Sequence, residues 1–532
     1  MKKSMAAVLA CLAFSLTISA NAKTITLKKA KYLDKCKGAW AGQMIGVCYG
    51  APYEFQTNGK PKLDAIRPWT PDRVEGAIGQ DDCYVEMTFL KAVEDYGLDV
   101  TYEEAGKAFA ETQFPLWHAN RVGRDNVRAG IMPPKSGHPD YNIHADDIDF
   151  QIEADLFGIV CPGLPRAAYA LCDVFGHVMN YGDGFYGGVF VTGMYCAAYF
   201  EDKNVEKVIR AGLACIPKES EYHKCISDVI QWYHENPDDW LAVWNKIEKK
   251  WQDDVDCARG NPFNIDAKLN GAYIIMGLLY GQGNLEKTLE ISTRCGQDND
   301  CNPSSAAGVL CCMKGFNNLS KEWTGGIPAI ADTKFDHTNY SFNTLIPACQ
   351  RVTEQLIAKN GGKVLKKKYK FERQSPKAPE QLEQWENQLE VLKHPLPQQE
   401  LNRWNPAWKV IACGTDMEPG VRSEEFGKAK VLLIHPVDKE TPAVLESEMQ
   451  VSAAGNPKLT IEAASHPQGN YLLRVVIEGN TVNETNVDTK GQWITITIDL
   501  SPWAGKKVKV RLENQATDWA FEAAYFGEVK IQ

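Results

Sequence analysis

The chain has 532 residues, 44% of them hydrophobic, with 58 Lys and Arg against 68 Asp and Glu and a formal charge of −10. That length accommodates two or three domains, and the acidic balance argues against nucleic acid or any other polyanion as a partner. The 16 cysteines contain no C-x-x-C spacing, which removes the common zinc and dithiol motifs.

Residues 1–22 read as a secretory signal: Lys2 and Lys3, an apolar run from Met5 to Ile18, then Ala20-Asn21-Ala22 as a small-residue cleavage site. The run before Cys11 is too short for a lipoprotein box. Cleavage removes two lysines and no acid, moving the charge from −10 to −12, and leaves 15 cysteines. An odd number is no disulfide framework, and most of these cysteines lie in apolar stretches where free Cys packs as a small hydrophobe. The expected destination is periplasmic or secreted. No later segment is apolar enough to span a membrane.

From about residue 30 to 360 the apolar residues recur at three and four spacing, and strand alternation is nearly absent. Gly38, Gly42, Gly46 and Gly50 strip one face of the first helix. Each glycine costs roughly 1 kcal/mol against Ala in a helix, so the stripe needs a reason, either close helix contact or ligand approach. Asp81 and Asp82 follow Gln80. Thr101 to Glu104 is a capping box, and Leu285–Thr293, Ser304–Met313 and Phe342–Ile357 continue the helical period. Between Asp146 and Asp155 a helix is expected with Asp149 and Glu153 on one face and Gln151 and Asp155 on another. Phe150 and Ile152 interleave these acids as in a buried wall, which favours a task for them over plain solvation. The segment from Gly182 to Gly188 holds four glycines around Asp183, Phe185 and Tyr186, which suits either a tight loop or close approach of a sugar or base.

Residues 366–403, rich in Lys, Pro, Gln and Glu, read as a linker with a short helix near Pro379–Leu392. After Trp404 the period becomes two, in Lys430–Ile434, Leu459–Glu462, Leu472–Ile477, Ile494–Ile498, Val508–Leu512 and Gly527–Ile531. Short strands between Asn, Gly and Pro turns indicate a β-sandwich of the jelly-roll kind. The division expected is signal 1–22, all-α domain 23–365, linker 366–403 and all-β sandwich 404–532. Trp493, Trp503, Trp519 and Tyr525 in the sandwich read as core or edge packing before a sugar platform.

Two acidic clusters stand out, Asp81-Asp82 and Asp298-Asn299-Asp300, each beside an apolar helical segment. Either they cap helices, as Asp prefers to do, or the fold joins them and a hard cation offsets their repulsion. Oxygen-only ligands favour magnesium, calcium or manganese over zinc. Of His118, His138 and His144, all compatible with plain surface positions, His144 is the one expected in a site.

Taken in order, residues 34–360 resemble the ADP-ribosylglycohydrolase family, which includes the dinitrogenase reductase-activating glycohydrolases. Gly38 to Glu54 is similar to the family's glycine-rich opening helix ending in glutamate. Gln80-Asp81-Asp82-Cys83 is similar to its Thr-Asp-Asp-Thr, and Gly296-Gln297-Asp298-Asn299-Asp300-Cys301 to its Gly-x-Asp-x-Asp-Thr. The resemblance implies an all-α, metal-dependent glycosidase. Asp81, Asp82, Asp298 and Asp300 would hold one or two divalent cations, Mg2+ in first place with Ca2+ or Mn2+ as alternatives, and Glu54 would lie beside the scissile bond. Asn126 falls in what resembles a cleft loop of the family. Gln80 and Cys301 stand where the family has threonines; Gln80 can still offer a carbonyl oxygen and a thiol suits a hard cation poorly, so both are expected as metal or cleft residues of a site weakened, remodelled or lost, with a changed substrate.

The function expected is an exported hydrolase of an N- or O-glycosidic bond to a ribosyl or other small sugar unit. Glu54 would be its acid/base with Asp149 as the alternative, and Asn126, His144, Glu153, Asp183 and Tyr186 would contact a small glycoside or glycan fragment. The rival is a non-catalytic glycan-binding protein on a decayed glycohydrolase fold, and a structural use of the fold stands third. Binding of magnesium and calcium separates the first two.

Overall fold

A computed structural model describes residues 24–252, 265–384 and 394–532. The signal segment lies outside the described residues, as does most of the helix expected near Pro379–Leu392. The remainder separates into a helical part with one large core, from Leu27 to Phe371, and a β part with its own core, from Leu396 to Val529.

The helices that build the site are α1 (Lys29–Gly50), α2 (Asp81–Tyr96), α3 (His118–Arg128), α4 (Asp149–Glu153), α5 (Asp155–Val160), α6 (Asp183–Ala198), α7 (Ala267–Gly281) and α8 (Cys301–Lys314). At the centre, α1 and α8 run antiparallel, and here the glycine stripe finds its reason. A Cβ added at Gly38, Gly42, Gly46 or Gly50 would stand 2.4, 2.3, 2.2 or 1.8 Å from the carbonyl oxygens of Cys311, Ala307, Pro303 and Asn299 respectively. Three glycines match three residues of α8, turn for turn, and Gly50 meets Asn299 just before it, so the two backbones touch along the length of α8. Only glycine leaves room for this. The contact sets the end of α1, and Glu54 just beyond it, against the start of α8.

One helix departs from the sequence expectation. The segment thought to be continuous from Asp146 breaks at Ala154, giving α4 and then α5. The Ala154 carbonyl accepts the Thr192 hydroxyl at 2.8 Å, and the Leu156 amide donates to Glu86 Oε2 at 2.6 Å. Tertiary partners thus replace the helical bonds at the junction. The break also separates Gln151 from Asp155 as a helical pair.

Strand β1 (Thr24–Lys28) pairs antiparallel with β3 (Lys368–Glu372), which also pairs with β2 (Lys363–Val364). Tyr369 and Phe371 thereby join the helical core. The β part is a jelly-roll-like sandwich of two five-stranded antiparallel sheets. One holds β10 (Asn480–Val487), β9 (Tyr471–Ile477), β12 (Lys507–Gln515), β7 (Ala443–Gln450) and β4 (Lys409–Ala412) in that order. The other holds β11 (Ile494–Asp499), β8 (Lys458–Ser465), β13 (Ala524–Ile531), β6 (Lys428–Ile434) and β5 (Gly420–Glu425). A short helix, α9 (Gln398–Trp404), belongs to the second core through Leu401 and Trp404. It also touches the helical part, where Asn402 Nδ2 donates to the Asp140 carbonyl at 2.8 Å and Arg403 faces Asp125 at 3.8 Å. Every cysteine among the described residues is a buried free thiol. No helix there is long and apolar enough to cross a membrane.

Candidate metal centre and active site

The two acidic clusters meet. Asp81 and Asp82 occupy the first turn of α2, while Asp300 precedes α8, so two helix N-termini, each a partial positive charge, converge on the aspartates. Neither Gln80 nor Asp300 makes a side-chain cap to its helix. Asp298 accepts the Cys301 amide at 3.3 Å. The Cys301 thiol lies 3.3 Å from Asp82 Oδ2 and 3.9 Å from Asp300 Oδ1, and ligand atoms of these three residues fall within 4.8 Å of one another. The other oxygen of Asp82, Oδ1, is buried with no hydrogen-bond partner.

Such crowding is costly for ionised groups, and the carboxyls respond. Burial first, and the charge of Asp300 second, push Asp81 up to about 6 and hold Asp82 and Asp298 well above the usual carboxylate range. Burial likewise raises Asp300. No Lys or Arg figures among the causes of these four shifts. The residues present therefore fit a hard divalent cation: four carboxylates, one buried oxygen with no partner and, among the described residues, no Lys or Arg figuring in their shifts. The thiol of Cys301 is the one soft atom in the set.

Glu54 follows α1 at the rim, with its side chain exposed. Partial desolvation, then Asp300 and Asp81, push its carboxyl up to about 7. The loop after it is pinned to the second cluster by paired backbone bonds, Phe55 N to Gln297 O at 3.0 Å and Gln297 N to Thr57 O at 3.1 Å. Phe55 and Gln297 both take positive φ to make this turn.

A second ring of acids lies beneath. Asp155 Oδ2 accepts Gln43 Nε2 and the Tyr195 hydroxyl, each at 2.9 Å, while Asp155 Oδ1, Glu86 Oε1 and Glu153 Oε2 are buried without partners. Burial pushes Asp155 up to about 7. Sequence reasoning missed Gln43 and Glu86 as neighbours of the site. Their signal was only that polar residues sat at buried helical positions of α1 and α2.

Asp149 stands beside this ring, and burial followed by Asp147 raises it to about 7. Its two oxygens accept the Ala119 and Asn120 amides at 3.3 and 2.9 Å, so it caps the first turn of α3. The Asn120 side chain reaches on to Glu153 Oε1. Glu153 is buried and feels Asp149 on one side and Asp81 and Asp82 on the other. His144 is buried against Asp147, Nδ1 to Oδ2 at 2.9 Å.

Three of the expected contact residues stand apart from this cluster. The Asn126 amide donates to the Ser136 and Tyr141 carbonyls at 2.9 and 3.0 Å inside the core. Asp183 accepts the Tyr222 amide at 3.1 Å and lies toward Asp266 and Lys268. Tyr186 is fully buried, and its hydroxyl accepts the Glu383 amide at 2.7 Å. Glu383 also bonds His177 Nε2 at 3.0 Å and the Gly182 amide at 2.9 Å, so this corner clasps the segment that leaves the helical part. The glycines of 182–188 serve packing: a Cβ on Gly184 would meet the Ala145 carbonyl at 2.4 Å, and one on Gly188 would meet the Phe150 ring at 2.3 Å.

The sequence model described as ADP-ribosylglycohydrolase matches residues 28–351. No curated protein matches the chain. Among solved structures, one described as an "ADP-ribosylglycohydrolase-related protein complex" aligns over 62% of this chain and 99% of its own, at 11% identity and a TM-score of 0.39. Two family 35 carbohydrate binding modules, one from an environmental isolate and one from Clostridium thermocellum, each align over 24% of this chain. They are covered over 89% and 87% of their own lengths, at 13% and 14% identity, with TM-scores of 0.19 and 0.17.

Proposed function

The chain belongs to the ADP-ribosylglycohydrolase family, and from that premise we propose that it is an exported, divalent-cation-dependent glycoside hydrolase acting on a small ribosyl or related sugar unit. One observation carries the reading: Asp81 and Asp82 meet Asp298 and Asp300, more than two hundred residues away in sequence, in one cluster, largely buried, whose charge also reaches Glu54. Export, read from residues 1–22, favours nucleoside-like or glycan fragments over ADP-ribosylated intracellular proteins as substrate.

Asp81, Asp82, Asp298 and Asp300 would hold the ion, magnesium first, with calcium or manganese as alternatives. When bound, it would offset their charge and polarise a substrate hydroxyl or water. Glu54 is the proposed acid/base. In the metal-free protein burial, then Asp300 and Asp81, raise its carboxyl to about 7; a carboxyl at this rim can give a proton to the leaving oxygen or nitrogen, then take one from the attacking water. Asp149 has a similar value, but both its oxygens are committed to the start of α3, which makes it a positioning residue. Glu153 and Asn120 extend that bracing toward the aspartates.

The Cys301 thiol, 3.3 Å from Asp82, is the specific observation that favours the rival reading of a glycan-binding protein on a decayed site. Hydrolysis of aryl ribosides and related glycosides tests the proposal. Activity should need a divalent cation and vanish in Asp298→Ala, and full activity after exhaustive chelation would refute the metal role.

A further inference from the structure

His118, His144 and Asp147 come from two separate segments yet meet at one point, outside the four aspartates discussed above. Asp147 Oδ2 lies 2.9 Å from His144 Nδ1 and 3.5 Å from His118 Nδ1. Ligand atoms of all three residues fall within 4.8 Å of one another. A tetrahedral ion bound at roughly 2.0–2.1 Å spaces its ligand atoms about 3.3 Å apart, and the two distances bracket that value.

We propose that these three residues form a second metal site, for a borderline transition ion of the zinc class, chemically distinct from the oxygen-rich centre. Two imidazoles and one carboxylate match that class, whereas magnesium and calcium take oxygen. Three protein ligands leave a tetrahedral ion one position for solvent or substrate. The His118 side chain, 24% exposed, gives the site its opening.

The surrounding structure holds the ligands in place. His144 N donates to Asn142 Oδ1 at 3.0 Å, and Asp147 N donates to the His144 carbonyl at 3.0 Å, which closes the turn carrying both ligands. Asn142 Nδ2 donates to the Ala119 carbonyl at 3.1 Å, and Asp149 accepts the Ala119 and Asn120 amides, so that turn is tied to the residues just after His118. His118 itself takes φ of 42°. A left-handed histidine persists only where its surroundings fix it. The strain presents the imidazole to its two partners.

The site shares no ligand with the acidic centre; Glu153 feels Asp149 on the one hand and Asp81 and Asp82 on the other.

The test uses the full chain, stripped by chelator and then desalted. Zinc is titrated calorimetrically in excess magnesium, and cobalt is followed by its visible absorption. We expect one zinc per chain bound in wild type, a loss of at least a hundredfold in affinity in His118→Ala and His144→Gln, and retention in Asp300→Asn. Magnesium affinity and far-ultraviolet circular dichroism of the same samples show that the variants are folded. His144→Gln can keep a hydrogen bond to Asp147 while removing the imidazole, so a folded variant without zinc binding supports the site. Wild type that takes no zinc under these conditions would overturn the proposal, as would wild-type zinc affinity in both histidine variants or loss of zinc confined to Asp300→Asn.

Discussion

Replacing Gly46 by alanine separates two physical accounts of the glycine stripe, because they differ in sign. Helix propensity alone predicts a gain of roughly 1 kcal/mol, since alanine is the better helix former. The structure predicts the opposite. A Cβ at residue 46 would lie 2.2 Å from the Pro303 carbonyl oxygen, 2.5 Å from its carbon and 2.6 Å from Ser304 Cα, all backbone atoms of a buried helix with no side chain able to swing away. Restoring ordinary contact requires α1 and α8 to part by about 1 Å, which forfeits much of their mutual dispersion energy. Overpacking of this kind costs up to about 3 kcal/mol, so the net effect is a loss of about 2 kcal/mol after the propensity gain. Urea denaturation followed by circular dichroism of the helical transition measures it. Because α1 and α8 also set the spacing of Glu54 from Asp298 and Asp300, magnesium affinity should fall in the same variant. Unchanged or increased stability in Gly46→Ala would refute the close-contact account and return the stripe to ligand approach.

Cys301→Thr supplies a hard oxygen where a thiol now faces Asp82, and should raise magnesium affinity at least tenfold by calorimetry; unchanged affinity would mean residue 301 is not near the ion. Glu54→Gln should lower turnover by about 10²- to 10⁴-fold while the cation still binds, and near-normal turnover would remove Glu54 from the chemistry. For the metal-free protein, Asp81, Glu54 and Asp149 keep protons that the unfolded chain gives up, with values raised to about 6, 7 and 7. Between about pH 4 and pH 7 the unfolded state therefore binds fewer protons, and stability should fall as pH rises across that window. Thermal melts in chelator at pH 5 and pH 8 check the sign, and added magnesium should stabilise more at pH 8; a higher melting temperature at pH 8 without metal would contradict it. At the clasp, burial opposes charging of His177, but Asp173 and Glu383 hold it protonated up to about 10. Glu383→Ala breaks that pair and should cost about 3 kcal/mol or more, read as earlier unfolding and faster proteolysis near residue 383; a neutral effect would mean the clasp is not a stabilising contact.

The long helices and inner strands could be read from the sequence because their periodicity is imposed by burial. Leu472 to Ile477 and Val508 to Leu512 alternate because one face of each enters the core, and β9 and β12 contain them. Strand β10, Asn480–Val487, escaped notice because it is an edge strand whose only apolar residues are Val482 and Val487. Strand β5 also lies at a sheet edge and is polar after Val421, β4 at the other sheet's edge is only four residues long, and β7 lies inside its sheet but carries Glu and Ser among its apolar residues. The four aspartates and Glu54 could be singled out as candidates because short motifs carry them. The break at Ala154 was not, since it depends on Thr192 and Glu86 from other helices. The same holds for His118: Asp147 shares a turn with His144, and only the packing of α3 on that turn brings His118 to the two of them.

The most direct test of the central claim is hydrolysis of an aryl riboside and glycoside panel by chelator-stripped enzyme, with and without added magnesium, alongside Asp298→Ala. The account predicts turnover that appears only on readdition of the cation and is absent in the variant. Equal turnover with and without cation, or an active Asp298→Ala, would contradict it.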